Sequence, residues 1–134
     1  MRAVEVFHDT NVILYLLSGD VAKANRAEEL IASGGRVSVQ VLNEFAALAN
    51  RKLGMGWTDI VEILGQVRAV CAVEPLAIET HERGLALASR FGLNVYDAMI
   101  VSSALLAGCT LLYSEDMQHG QVFDRQLTVR NPFN

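Results

Sequence analysis

Between Arg90 and Glu115 the chain carries a single charged residue, Asp97. Around it runs Val95 to Ala107, opened by Asn94, closed by Gly108 and apolar on nearly every side of a helix. A helix with no polar face has to be covered all round. It is also too short to cross a bilayer. Such a segment belongs inside a layered fold, and the rest of the sequence must supply the layers.

It does so by alternation. Val4 to Phe7 reads as a first strand, ended by His8-Asp9-Thr10-Asn11, whose side chains suit a helix N-cap for the apolar run Val12 to Leu17. A helix follows from Val21 to Ala32, stopped at Gly34-Gly35. Val37 to Val39 is a second candidate strand. Ser38 or Gln40 then opens a helix with apolar residues at 41, 42, 45, 48 and 49, ending near Gly54. Thr58 is expected to cap the next helix, to about Val70, before a strand from Cys71 to Val73 and the break at Pro75. A helix from Ile78 to Arg90 stops at Gly92. After the apolar helix come a strand, Thr110 to Tyr113, a polar loop, Ser114 to Gly120, and a last strand, Leu127 to Val129. Strands alternating with helices imply a parallel sheet covered on both faces.

Length and composition agree with one globular domain over 1–134. Mean hydropathy of +0.27 and 51% apolar residues exclude a disordered tail. Eleven Lys+Arg against fifteen Asp+Glu give a net charge of −4, which argues against holding nucleic acid by bulk charge. A phosphate substrate met through a metal is still open, because the protein then supplies carboxylates. Cys71 and Cys109 have apolar neighbours and no metal-type spacing, so they read as buried free thiols. Arg2 followed by Glu5, His8 and Asp9 does not make a signal peptide, and no apolar run reaches a membrane span, so a cytoplasmic protein is expected.

In parallel sheets ligands bind beyond the carboxyl ends of the strands. Asp9 follows the first strand, and Ser114, Glu115 and Asp116 follow the strand ending at Tyr113. Two further acids have apolar surroundings: Glu44, beside the buried stripe of its helix, and Asp97. Each has an ordinary reading. Asp9 could cap a helix, Asp97 could complete a capping box with Asn94, Glu44 could face solvent, and Asp116 could be a plain loop acid. Yet a carboxylate in apolar surroundings costs several kcal/mol unless it is paired, hydrogen-bonded or placed on a metal. A cluster of four acids with no matching Lys or Arg nearby in sequence points to a divalent cation. An all-oxygen set suits Mg²⁺ or Mn²⁺, not zinc. Metal-assisted phosphodiester hydrolysis is the chemistry such a site performs.

Four segments then resemble a known family. Asp9-Thr10-Asn11-Val-Ile-Leu-Tyr15, Val39-Gln-Val-Leu-Asn-Glu44-Phe, Val95-Tyr-Asp97-Ala-Met-Ile-Val and Leu112-Tyr-Ser-Glu-Asp116 resemble, in order, the acidic motifs of PIN-domain nucleases. Order, spacing and length are similar to VapC-type toxin ribonucleases of toxin–antitoxin pairs. The resemblance implies a three-layer α/β/α sandwich around a parallel sheet of about five strands. It implies that Asp9, Glu44, Asp97 and Asp116 are catalytic and hold the metal, Asp9 and Asp97 most directly. Asn11 and Ser114 would hydrogen-bond the carboxylates or a metal-bound water. Metal-activated water would attack an RNA phosphate, releasing the 3′-oxygen and leaving a 5′-phosphate. Whether Glu115 or Asp116 turns inward is open at this stage. His8 should be packed or exposed, since the next strand residue faces away from Asp9. His81 reads as a surface residue, and His119 is a candidate RNA contact. Family behaviour implies a cognate antitoxin, with 12–17 and 22–32 as walls of its groove, and a homodimer.

Two other functions compete. One is a catalytically silent module that binds metal and RNA. The other is phosphoryl transfer through Asp9, for which the second aspartate of haloacid-dehalogenase-type phosphatases and the late-strand lysine of receiver domains are both missing.

Overall fold

Phe7 and His8 are neighbours on one strand, so their side chains leave opposite faces of the sheet, and both are fully buried. The strand is therefore covered on both sides, as the apolar-helix argument requires. The computed structural model describes residues 5–133. Val4, the expected start of the first strand, lies outside the described residues.

Strand β1 (Val6–His8) leads into a short helix α1 (Thr10–Leu14) and a 3₁₀ turn (Tyr15–Leu17). Then come α2 (Val21–Ala32), β2 (Arg36–Ser38), α3 (Val39–Leu53), α4 (Trp57–Val70) and β3 (Ala72–Glu74). The second half holds α5 (Ile78–Phe91), α6 (Val95–Leu106), β4 (Leu111–Tyr113), β5 (Val122–Phe123) and β6 (Leu127–Arg130). The sheet order is β3-β2-β1-β4-β6-β5. Five strands run parallel, as expected, and β5 adds an antiparallel edge by hairpin to β6. That sixth strand is two residues long, too short for any alternation to announce it.

The caps explain the boundaries. Ser38 accepts the Val41 N–H at 3.3 Å, so α3 begins directly where β2 ends, with no loop between them. Gly54 and Gly92 close α3 and α5 in the left-handed conformation that glycine adopts without strain. Thr58 does not cap α4. Gly56 takes that place and Trp57 already has helical geometry. The apolar helix α6 is buried continuously from Ala98 to Leu105. It lies close on α5 because Gly84 has no side chain: a Cβ there would come within 2.5 Å of the Met99 methyl. No helix among the described residues is long and apolar enough to cross a membrane.

The chain lays β1, β2 and β3 outward to one side, then returns to place β4 on the other side of β1. The β1–β4 boundary is a topological switch point, where two strand ends open a crevice.

Candidate active site

Both strands at that boundary end in the motifs singled out above. The Asp9 N–H donates to the Tyr113 carbonyl at 3.0 Å, continuing the β1–β4 ladder. This brings Ser114 within reach of Asp9, across 105 residues of sequence. The Ser114 hydroxyl donates to Asp9 Oδ2 at 2.7 Å, and the Thr10 N–H donates to Oδ1 at 2.7 Å. Ser114 Oγ itself accepts the Met117 N–H at 3.1 Å, which leaves its proton for Asp9. Asp9 does occupy the N-cap position of α1, but capping does not explain its burial: it is 3% exposed. Desolvation raises its pKa to about 7, against the lowering effect of its two hydrogen bonds and with a further push from the Asp97 and Asp116 charges.

The other acids arrive from helices. Glu44 is half-buried on α3 and accepts the Thr10 hydroxyl at 2.9 Å. Burial raises its pKa, the Thr10 bond and the Gln40 amide one turn earlier lower it, and the Asp97 and Asp116 charges raise it again. Asp97 stands in the first turn of α6, where Asn94 makes the expected cap. Asn94 Oδ1 accepts the Asp97 N–H at 2.8 Å, and Asn94 Nδ2 donates to Asp97 Oδ2 at 2.9 Å. Burial still raises Asp97, and Asp116 adds to the push. Asp116 is exposed, and its charge bears on the other three.

The structure therefore brings Asp9, Glu44, Asp97 and Asp116 into one repelling electrostatic group. Among the described residues none of the four lies within 4.0 Å of a Lys, Arg or His nitrogen; the ion pairs belong to Glu5, Glu29, Glu74, Glu115 and Asp124. Nor do three His, Cys, Asp or Glu side chains close on a single point as a ready coordination shell, again among the described residues. The donor set is all oxygen and uncompensated, and it fits a hard divalent ion.

The remaining candidates separate clearly. Among the described residues Asn11 bonds no carboxylate: its Oδ1 accepts the Glu115 N–H at 3.4 Å, and its buried Nδ2 meets no partner there. Glu115 turns away from the acids toward Tyr15 and Lys23. His8 is buried at the end of the interior strand β1, with Nε2 2.7 Å from the Gly34 carbonyl, and burial lowers its pKa. His81 is on the surface. His119 is exposed, and its Nδ1 accepts the Asn131 N–H at 3.0 Å. Both cysteines are free and buried, and burial pushes Cys109 up to about 12, far from a reactive thiolate. Sequence reasoning missed Thr10 and Gln40 as supports of Glu44. For Gln40 the signal was available, since positions four apart share a helix face.

The family model described as the PIN domain matches residues 6–123, a span that holds all four acids. The chain belongs to the PIN-domain family. Solved structures with the same PIN fold include a chain of a toxin–antitoxin complex from Klebsiella pneumoniae. It is 18% identical, with a TM-score of 0.70 over 96% of this chain and 98% of that one. VapC20 from Mycobacterium tuberculosis, a toxin that cleaves the sarcin–ricin loop, is 22% identical, with a TM-score of 0.69 over 84% of this chain and 90% of its own. VapBC2 from Rickettsia felis, bound to a DNA fragment from its promoter, gives 17% identity and a TM-score of 0.65 over 96% and 98%. No curated protein sequence matches the chain. At these identities the likeness is one of PIN fold.

Proposed function

We propose that this PIN domain is a Mg²⁺- or Mn²⁺-dependent endoribonuclease of the VapC type, the toxin of a toxin–antitoxin pair. The observation that carries the reading is the uncompensated acid group at the switch point, above all a 3%-exposed Asp9 with a pKa raised to about 7. Burying such a group is costly for a protein that only folds, and a divalent cation offsets that cost. Family membership supplies the nuclease context, and three structural neighbours that are toxins or toxin–antitoxin complexes supply the biological one.

In this reading Asp9, Glu44, Asp97 and Asp116 hold the cation. When bound, it neutralises a phosphodiester oxygen and supplies a nucleophile at neutral pH. The chain's own residues do the positioning. Ser114 and the Thr10 N–H fix the two oxygens of Asp9, the Thr10 hydroxyl fixes Glu44, and Asn94 fixes Asp97. The exposed His119 offers Nε2 to RNA. The partners are RNA, a cognate antitoxin and a second copy of the chain, acting in the cytoplasm as one domain spanning 1–134.

The decisive experiment incubates antitoxin-free protein with total RNA in Mn²⁺, Mg²⁺ or EDTA, beside Asp97→Asn. Discrete fragments that need metal and vanish in the variant are the expected result. A folded, metal-loaded protein that binds RNA but leaves it intact would replace this reading with the silent binding module.

A further inference from the structure

Glu115 and Asp116 are adjacent acids that go separate ways. The Tyr15 hydroxyl donates to Glu115 Oε1, and Lys23 Nζ lies 3.7 Å from Oε2. Lys23 also donates to the Tyr15 hydroxyl oxygen at 3.5 Å and sits 4.8 Å from the centre of the Tyr15 ring. Phe133 packs edge-on against that ring with centroids 4.6 Å apart, so the far end of the chain backs the tyrosine. The Glu115 N–H is held by Asn11, and the residues flanking the Glu115–Asp116 pair, Ser114 and Met117, are joined by the Met117 N–H donating to Ser114 Oγ. The loop from Ser114 to Met117 is thus tied at Ser114, Glu115 and Met117, and among its side-chain contacts the Glu115 carboxylate meets both Tyr15 and Lys23.

Resting on the nuclease reading above, we propose that Tyr15, Lys23 and Glu115 form a clamp whose work is to position Asp116. With Glu115 drawn toward Tyr15, the loop delivers Asp116 to the acid group and keeps a fifth carboxylate out of it. The half-buried Lys23–Glu115 pair, whose side chains are 38% and 29% accessible and whose charges lie 3.7 Å apart, is a modest source of fold stability. Its value lies in the direction it gives the loop. Glu115 is therefore a positioning residue, acting through Asp116, and not itself a metal ligand.

Two measurements on the full chain test this. In EDTA, amide hydrogen exchange should speed up at Glu115 and Met117 in Tyr15→Phe and Glu115→Ala, while Phe7 and Leu112 in the sheet keep their protection. By calorimetric titration with Mn²⁺, the same variants should bind about tenfold more weakly, the lower end of what loss of a ligand's support costs. Glu115→Gln, whose amide oxygen still accepts from Tyr15, should stay near wild type. Unchanged loop exchange, or unchanged Mn²⁺ affinity in Tyr15→Phe, overturns the clamp. So does an equal loss in Glu115→Gln and Glu115→Ala with none in Tyr15→Phe, which would make Glu115 a ligand. A wild-type protein that takes up no Mn²⁺ sinks the metal reading itself, and the clamp as a metal-positioning device falls with it.

Discussion

Asp9 concentrates the electrostatic cost of this fold in one carboxyl group. Its pKa is raised from 3.8 to about 7, so the unfolded chain gives up this proton more readily than the folded one. The sign follows. Stability from this group is complete below about pH 4 and is lost as pH rises through 7, by on the order of a few kcal/mol. Glu44 and Asp97 shift in the same direction. Metal-free protein should therefore melt at a lower temperature at pH 8 than at pH 5, and Asp9→Asn should flatten that slope; thermal melts in EDTA across pH will show it. Ser114→Ala removes a bond that holds the Asp9 pKa down, so it should steepen the slope and weaken Mn²⁺ binding about tenfold. The sequence disclosed Glu44 and Asp97 through their apolar neighbours and Asp9 through its place at a strand end, yet not the choice between Glu115 and Asp116. Both are polar loop residues, and what parts them is a tyrosine 100 residues away.

Helices α2, α3, α5 and α6 were legible because each is written with punctuation: Ser38 and Asn94 as caps, Gly34, Gly54 and Gly92 as stops. Elements without punctuation were harder. Nothing in Val122–Phe123 separates a strand from a loop, and Gly56 rather than Thr58 starts α4. Gly35 makes a sharper prediction at this scale. Its φ is +105°, and an added Cβ would meet the Val6 carbonyl oxygen at 3.0 Å and His8 Nε2 at 2.9 Å. The α2–β2 turn is thus pressed against β1 with no room to spare. Gly35→Ala should cost roughly 2–3 kcal/mol, read as a drop in the urea midpoint. Asn94→Ala should cost about 1 kcal/mol through the lost cap. It should also reduce cleavage, because the same side chain steadies Asp97.

For the whole molecule, the sheet order rather than any single motif makes the site. Alternating strands and helices announced a parallel sheet, but the position of β1 between β2 and β4 was not readable from periodicity, which carries no information on which strands are neighbours. If the four acids hold a cation, Mn²⁺ at one hundred times its dissociation constant should stabilise the protein by about 2.7 kcal/mol, and EDTA should reverse this; melts at stepped Mn²⁺ concentrations test it. The β1–β4 pairing also has a consequence in time. Residues that touch at 2.7 Å, Ser114 and Asp9, are made 105 residues apart. A ribosome that has released only the stretch before Leu111 has made three of the four acids and none of the strand that gathers Asp9 with Ser114 and Asp116. If the chain is the toxin proposed above, it is harmless for most of its own synthesis, and an antitoxin made alongside it has that interval in which to be ready.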